Sequence, residues 1–356
     1  MRGERETMAG TVRTSPSGSG GALREEYDTA LLDLDGVVYV AGDAVPHAVR
    51  SLEEARDAGM RLAYVTNNAS RTPEAVARHL GELGLPAEAE DVITSAQAVA
   101  RLIAERFPRG SRVLAVGGDG LREALREQGM SVVDSADDEP AAVVQGYGGP
   151  RLQWGRLGEA AIAVGRGVAW FAANGDVTVP GERGVLPGNG AAVEVVRMAT
   201  RWMRDAPEPQ IAGKPRPPMH RETILRTGAR RPLVVGDRLD TDIEGAHVGG
   251  VDSLLVMTGV TDAAQLLAAR PEHRPAYVAL DLRGLAQPHP EPSGDAEAGF
   301  GCGGWTARAG TDALVLEGEG EVPDGLRALC AAAWTAAGDR GGCGLDAGKA
   351  LARLGL

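Results

Sequence analysis

The sequence predicts an α/β protein built on a parallel sheet. Short apolar runs alternate with helical patterns from Thr29 to Met257. Glycine is 50 of 356 residues, about twice the usual share of roughly 7%, and it clusters in the turns between those runs. The length exceeds one ordinary domain and suggests two to three, with 43% apolar residues to fill their cores.

The elements follow in order. Residues 29–34 read as a buried strand and residues 51–58 as a helix that closes at Gly59. Residues 61–66 form the next strand. Thr72 then stands as an N-cap, with Pro73 at the first helical position. Further strands are expected at 92–94, 112–116, 142–144, 168–172, 232–235 and 253–257. A helix is expected over 243–248, with Asp240 or Asp242 as its cap. Residues 1–26 contain a Ser/Gly tract and read as a disordered tail. The Pro-rich stretch 286–298 reads as a linker, and 205–218, with five prolines, as an internal junction. Beyond the linker, residues 299–356 read as a small α+β segment. It has strands at 305–308 and 313–317 and a helix at 323–336. Nothing in it looks catalytic. It reads as a packing or dimerisation element, with a partial acyltransferase-like or regulatory module as the alternative.

Charge and composition exclude several classes. The formal net charge is -12, which repels a phosphate backbone, and aromatics are only 4%, too few for a base-stacking surface. No nucleic-acid partner is expected. No apolar run reaches 18 residues, so no membrane span is expected, and the N-terminus lacks the apolar stretch of a secretory signal. Three cysteines at loose spacing argue against a disulfide framework. A cytoplasmic protein is the simplest expectation. The six histidines are scattered without metal-ligand spacing and read as structural or surface groups.

In parallel sheets ligands bind at the carboxyl ends of the strands. Four such ends carry chemistry. The first is Asp33-Leu34-Asp35-Gly36. Carboxylates two residues apart point to one side of an extended chain. They repel unless a cation lies between them, and a hard divalent ion such as Mg²⁺ suits them. A plain Asp/Gly turn is the alternative. The second is Thr66-Asn67-Asn68-Ala69-Ser70, whose hydroxyl, amides and backbone N–H groups suit an anion, or an ordinary loop. The third is Gly213-Lys214-Pro215. Lys214 is one of two lysines among 37 basic residues, the other being Lys349. Its ammonium is a compact charge for one oxygen of a small anion, or else a solvated surface group. The fourth is Gly236-Asp237-Arg238-Leu239-Asp240-Thr241-Asp242, where Asp237 is best placed as a metal ligand.

Taken in order, these four motifs resemble those of the haloacid dehalogenase-like hydrolases over about residues 27–285. The 148 residues from Thr66 to Lys214 resemble the subclass with a large α/β cap. The resemblance implies a Rossmann-like doubly wound core of residues 27–96 and 208–285, with the cap at 97–207. It implies that Asp33 is the nucleophile and Asp35 the general acid/base. Mg²⁺ would be held by the Asp33 carboxylate, the Asp35 backbone carbonyl and Asp237, with Asp242 in the outer shell or orienting Lys214. Thr66, Asn67, Asn68 and Lys214 would bind phosphate.

Asn174, Asp176, Val179 and Arg183 are the candidates for choosing the substrate. The cap segment Gly146-Tyr147-Gly148-Gly149 departs from the usual pattern, as does Pro46-His47-Ala48 after the first motif. Val179 falls where pyridoxal phosphatases of this type place a histidine, which favours a small polyol or hydroxy-acid phosphate. The implied function is a Mg²⁺-dependent phosphatase for a small phosphorylated metabolite, with glycerol 3-phosphate first. Phosphoglycolate, pyridoxal phosphate and p-nitrophenyl phosphate are the alternatives. A dehalogenase would have no use for Asp35. A non-catalytic sensor would be expected to have lost one of Asp33, Asp35 or Asp237. The assembly considered is a homodimer.

Overall fold

The computed structural model describes residues 13–181 and 183–356. The chain divides into two compact units, residues 1–63 with 229–356 and residues 64–228.

The first unit is organised by parallel strands in the order Tyr277–Ala279, Asp252–Val256, Pro232–Gly236, Thr29–Leu32 and the start of Arg61–Thr66. All four residues of Thr29–Leu32 are buried, as expected of a sheet covered on both faces. The strand ends two residues earlier than the sequence suggests. The Asp33 N–H still donates to the Val235 carbonyl at 2.9 Å. The Leu34 carbonyl then accepts from Val37, Val38 and Tyr39, which turns the chain back. Gly36 sits in that turn at φ +89°, a conformation that disfavours a side chain. The strand Tyr277–Ala279 was not expected from the sequence.

Two expected segments, the tail and the linker, are structured instead. Residues 1–12 of the expected tail lie outside the described residues. Residues 13–26 are ordered. Ser17 and Ser19 donate their N–H groups to the carbonyls of Ala276 and His289 at 2.8 and 2.9 Å, and Leu23 in the helix Leu23–Glu26 is fully buried. The expected linker is also built in: His289 is buried, and Ser293–Asp295 pairs antiparallel with Gly299–Cys302. Ser, Gly and Pro mark low propensity, but their backbones here find partners.

The C-terminal segment packs on the parallel sheet of the first unit. Its four antiparallel strands, Ser293–Asp295, Gly299–Cys302, Trp305–Ala309 and Leu314–Gly318, carry the helix Val322–Ala337. Trp305, Leu329 and Trp334 share one apolar cluster with Leu255, Leu266 and Val278 of the parallel sheet and its helices. The Trp334 Nε1–H donates to the Leu266 carbonyl at 3.1 Å. The expected helix and two strands are present, while Ser293–Asp295 and Gly299–Cys302 escaped the sequence reading because glycine hides their pattern.

The second unit holds a five-stranded parallel sheet in the order Gln210–Ile211, Ala169–Ala172, Ala142–Gln145, Arg112–Val116 and Ser131–Val133. Its last strand in sequence pairs with Phe171 and Ala172, so the cap sheet runs past the expected boundary at 207. The end of Arg61–Thr66 pairs in parallel with Val92–Thr94. Thr72 caps the helix Pro73–Glu82 by accepting the Ala75 N–H, as its sequence position suggests. A two-stranded hairpin, Thr178–Gly181 with Gly184–Pro187, precedes the helix Asn189–Thr200.

Candidate active site

In the first unit the strand ends converge on an oxygen cage. Asp33 follows Thr29–Leu32, and Asp237 follows Pro232–Gly236, its neighbour in the sheet. One carboxylate oxygen from each of Asp33, Asp237 and Asp242 lies within 4.8 Å of the others. Asp237 and Asp242 are buried and Asp33 half-buried. Three anions this close and this dry require a cation. An all-carboxylate donor set suits a hard divalent ion.

Glycines make room for this cage. A Cβ on Gly36 or Gly259 would overlap the Asp237 carboxylate, and one on Gly236 would overlap Asp242. Asp237 is aimed by the Val260 N–H, which donates to Oδ2 at 2.7 Å. The Asp242 Oδ2 accepts the Arg238 N–H at 3.2 Å. Asp242 was expected outside the ligand set, yet its oxygen stands with the other two. Neither Asp240 nor Asp242 caps the following helix, Glu244–Gly249; Asp240 instead pairs with Arg238 at 2.9 Å. A wide turn at Leu239–Ile243 runs straight into that helix and leaves no cap position.

Asp35 is exposed and lies in the turn after Asp33, bridged through its backbone to Tyr39. Thr258 fixes that turn by donating its hydroxyl to the Gly36 carbonyl at 2.6 Å. The sequence reading missed the Thr258-Gly259-Val260 contribution. Its only trace was a glycine just beyond an expected strand end.

In the second unit the expected anion-binding residues gather around Asn67. Thr66 is buried at the end of its strand, and its Oγ1 accepts the Asn68 N–H at 3.1 Å. The Asn68 Oδ1 accepts from both the N–H and the hydroxyl of Ser70, at 2.9 and 2.7 Å. The Lys214 Nζ donates to the Val65 carbonyl at 3.0 Å.

Of the specificity candidates, Asn174 is buried, and its Nδ2 donates to the Asn67 carbonyl at 2.6 Å. The Asn174 Oδ1 accepts the Asp176 N–H at 3.2 Å. Asp176 is half-buried. Val179 is half-buried opposite Leu186 in the hairpin, and Arg183 is exposed at its tip.

The profile described as haloacid dehalogenase-like hydrolase matches residues 30–131, and a second, HAD-hydrolase-like, matches 211–285. D-glycerol 3-phosphate phosphatase of Mycobacterium tuberculosis is 42% identical over 324 residues, 88% of each chain. The chain belongs to the haloacid dehalogenase-like hydrolases. Other relatives of this hydrolase are phosphatases too. The acid sugar phosphatase of Staphylococcus haemolyticus is 36% identical over 72% of this chain and 95% of its own. Among solved structures, the magnesium complex of the glycerol phosphate phosphatase of M. tuberculosis has a TM-score of 0.79. It is 41% identical over 88% of this chain and 92% of its own. The p-nitrophenyl phosphatase of Archaeoglobus fulgidus reaches 0.65, at 28% identity over 73% of this hydrolase and 98% of its own length. Residues 302–356 match a GCN5-related N-acetyltransferase-like domain profile.

Proposed function

We propose that glycerol 3-phosphate is the substrate of this phosphatase and Mg²⁺ its metal. The observation that carries the metal is the cage of Asp33, Asp237 and Asp242 oxygens within 4.8 Å. The substrate rests on the likeness to D-glycerol 3-phosphate phosphatase over 88% of both chains. Val179 supports it, since a small aliphatic side chain suits a polyol phosphate better than a pyridine ring.

Asp33 attacks phosphorus through a carboxylate oxygen, and the ester P–O bond breaks. Asp35 gives its proton to the departing alkoxide, which leaves as glycerol. Asp35, now ionised, takes a proton from water as that water attacks the aspartyl-phosphate. Inorganic phosphate leaves and Asp33 is restored. Mg²⁺, when bound, would supply charge neutralisation for the transferring phosphoryl group. Asp33, Asp237 and the Asp35 backbone carbonyl would hold the ion, together with Asp242. Thr66, the Asn67 backbone N–H and Lys214 would bind the phosphoryl oxygens. Asp176, Val179 and Arg183 contribute to substrate choice.

The test is phosphate release from a panel of monoesters with Mg²⁺ and with EDTA. Glycerol 3-phosphate should lead phosphoglycolate, pyridoxal phosphate, p-nitrophenyl phosphate and sugar phosphates. A different winner overturns the substrate, and release that persists in EDTA overturns the metal.

All three cysteines are free thiols, which supports a cytoplasmic location, and among the described residues no helix is long and apolar enough to cross a membrane. A second copy of this chain is the proposed protein partner. Trp202, 73% exposed in the turn after the helix Asn189–Thr200, lies beside Gly165 at the end of the adjacent helix Trp154–Gly165, and Met198 and Ile162 are exposed on those two helices. A second copy would cover these exposed apolar side chains. Light scattering should report a dimer that Trp202→Glu dissociates; a wild-type monomer overturns this.

A further inference from the structure

Asn67 was expected to bind phosphate, yet its side-chain amide is already committed within the second unit. Its Oδ1 accepts the Lys214 backbone N–H at 2.8 Å. A backbone N–H can only donate, so this contact settles which end of the amide is oxygen. The Nδ2 group then donates to the Lys214 carbonyl at 3.2 Å and to the Asp176 Oδ1 at 3.3 Å. An amide nitrogen carries two hydrogens, and both are placed. A phosphoryl oxygen needs donors, so the Asn67 side chain has none left to offer it.

What this amide does instead is clamp Lys214. It grips the lysine's backbone at both its N–H and its carbonyl, while the far end of the same residue, Nζ, reaches the Val65 carbonyl at 3.0 Å. The lysine is thereby held at two places, at Val65 in the strand Arg61–Thr66 and at Asn67 just past its end. Gly213 permits the approach, because a Cβ there would meet the Asn67 Oδ1 and the Ala173 carbonyl, both at 2.6 Å. The Asn67 backbone is fixed in turn: its carbonyl accepts the Ser95 hydroxyl at 2.5 Å and the Asn174 amide at 2.6 Å.

We propose that Asn67 is a positioning residue. It sets where the Lys214 ammonium stands and ties that lysine to the Asn174–Asp176 segment, without touching the phosphoryl group through its side chain. The inference deepens the reading of Lys214 as a phosphoryl-binding group and rests on it.

A double-mutant cycle tests the clamp. Asn67→Ala should lower kcat by about 10- to 100-fold with KM changed by less than about 3-fold. Lys214→Met should cost at least as much. If Asn67 acts through Lys214, adding Asn67→Ala to Lys214→Met should cost no more than about a further 3-fold. Effects that multiply in full would mean direct contact with the substrate and overturn the proposal. Should Asn67→Ala fail to give a cooperative melt, Asn67→Asp takes its place in the cycle, because it keeps the acceptor for the Lys214 N–H and loses the donors.

A second readout needs no turnover. With only two lysines in the chain, ¹³Cε-lysine labelling gives two signals, and Lys349, exposed on the helix Gly348–Leu354, is the internal reference. Asn67→Ala should move the Lys214 signal and leave that of Lys349 in place. An unmoved Lys214 signal overturns the clamp even in a fully active enzyme. A wild type without metal-dependent phosphate release overturns the phosphatase reading and leaves the lysine signal to decide the clamp.

Discussion

The buried guanidinium of Arg327 donates to Nδ1 of His289 at 3.0 Å. A nitrogen that accepts cannot carry the proton, so His289 is the Nε2–H tautomer, and it donates to the Gly284 carbonyl at 2.9 Å. Arg327 also donates to the Val278 carbonyl at 2.9 Å and pairs with Asp324 at 2.5 Å. The C-terminal helix is thus tied by charge-assisted hydrogen bonds to the last strand of the parallel sheet.

This pair predicts an acid-sensitive fold. Burial pushes the His289 pKa down to about 4, and the Arg327 charge pushes the same way. An unfolded histidine titrates near 6.5. Below that pH the unfolded chain binds a proton that the folded chain refuses. The stabilisation is therefore complete above about pH 6.5 and is lost as pH falls through the window down to about 4, by up to about 1.4 kcal/mol per pH unit. His289→Gln, which keeps an acceptor and cannot titrate, should flatten the melting temperature over that window relative to wild type. Parallel curves for the two proteins would refute the assignment.

Arg327→Leu should destabilise the first unit by about 3–5 kcal/mol, because it leaves Asp324 nearly buried without its cation. Truncation before Ser293 should be worse. It bares the Leu255, Leu266 and Val278 side of the shared cluster, and the remaining chain should aggregate or lose its cooperative melt. A well-folded, soluble truncation would show that the segment is an appended module after all.

Asp33→Asn should abolish turnover, by at least about 10³-fold in kcat, with the melting temperature kept. An amide is a poor nucleophile and a poor ligand for a hard cation. Near-normal phosphate release from this variant would remove Asp33 from the nucleophile's role.

Gly259→Ala touches neither substrate nor nucleophile, yet it should cripple the metal site. Its Cβ would occupy the space of the Asp237 carboxylate. The Mg²⁺ concentration for half-maximal activity should rise by about 10- to 100-fold, as when a group that orients a ligand is lost. Titration calorimetry with Mg²⁺ alone checks the same effect; unchanged affinity would mean that Asp237 does not hold the ion.

The sequence by itself determined the class of fold and two of the carboxylates that the strand ends bring together. Alternating apolar runs marked the strands Arg61–Thr66, Val92–Thr94 and Arg112–Val116 at their observed bounds. The short polar words after strands located Asp33 and Asp237, because strand ends gather in space whatever lies between them in the chain. Long-range partners escaped it. Residues 13–26 and 286–298 looked like tail and linker, since Ser, Gly and Pro report local propensity and say nothing of a backbone partner hundreds of residues away. The role of Asn67 was invisible for the same reason. An amide that can serve either a ligand or a backbone is assigned only when the partner is placed, and its partner is Lys214, 147 residues along the chain. The sequence supplies the groups, while tertiary structure decides which hydrogens are still free to meet a substrate.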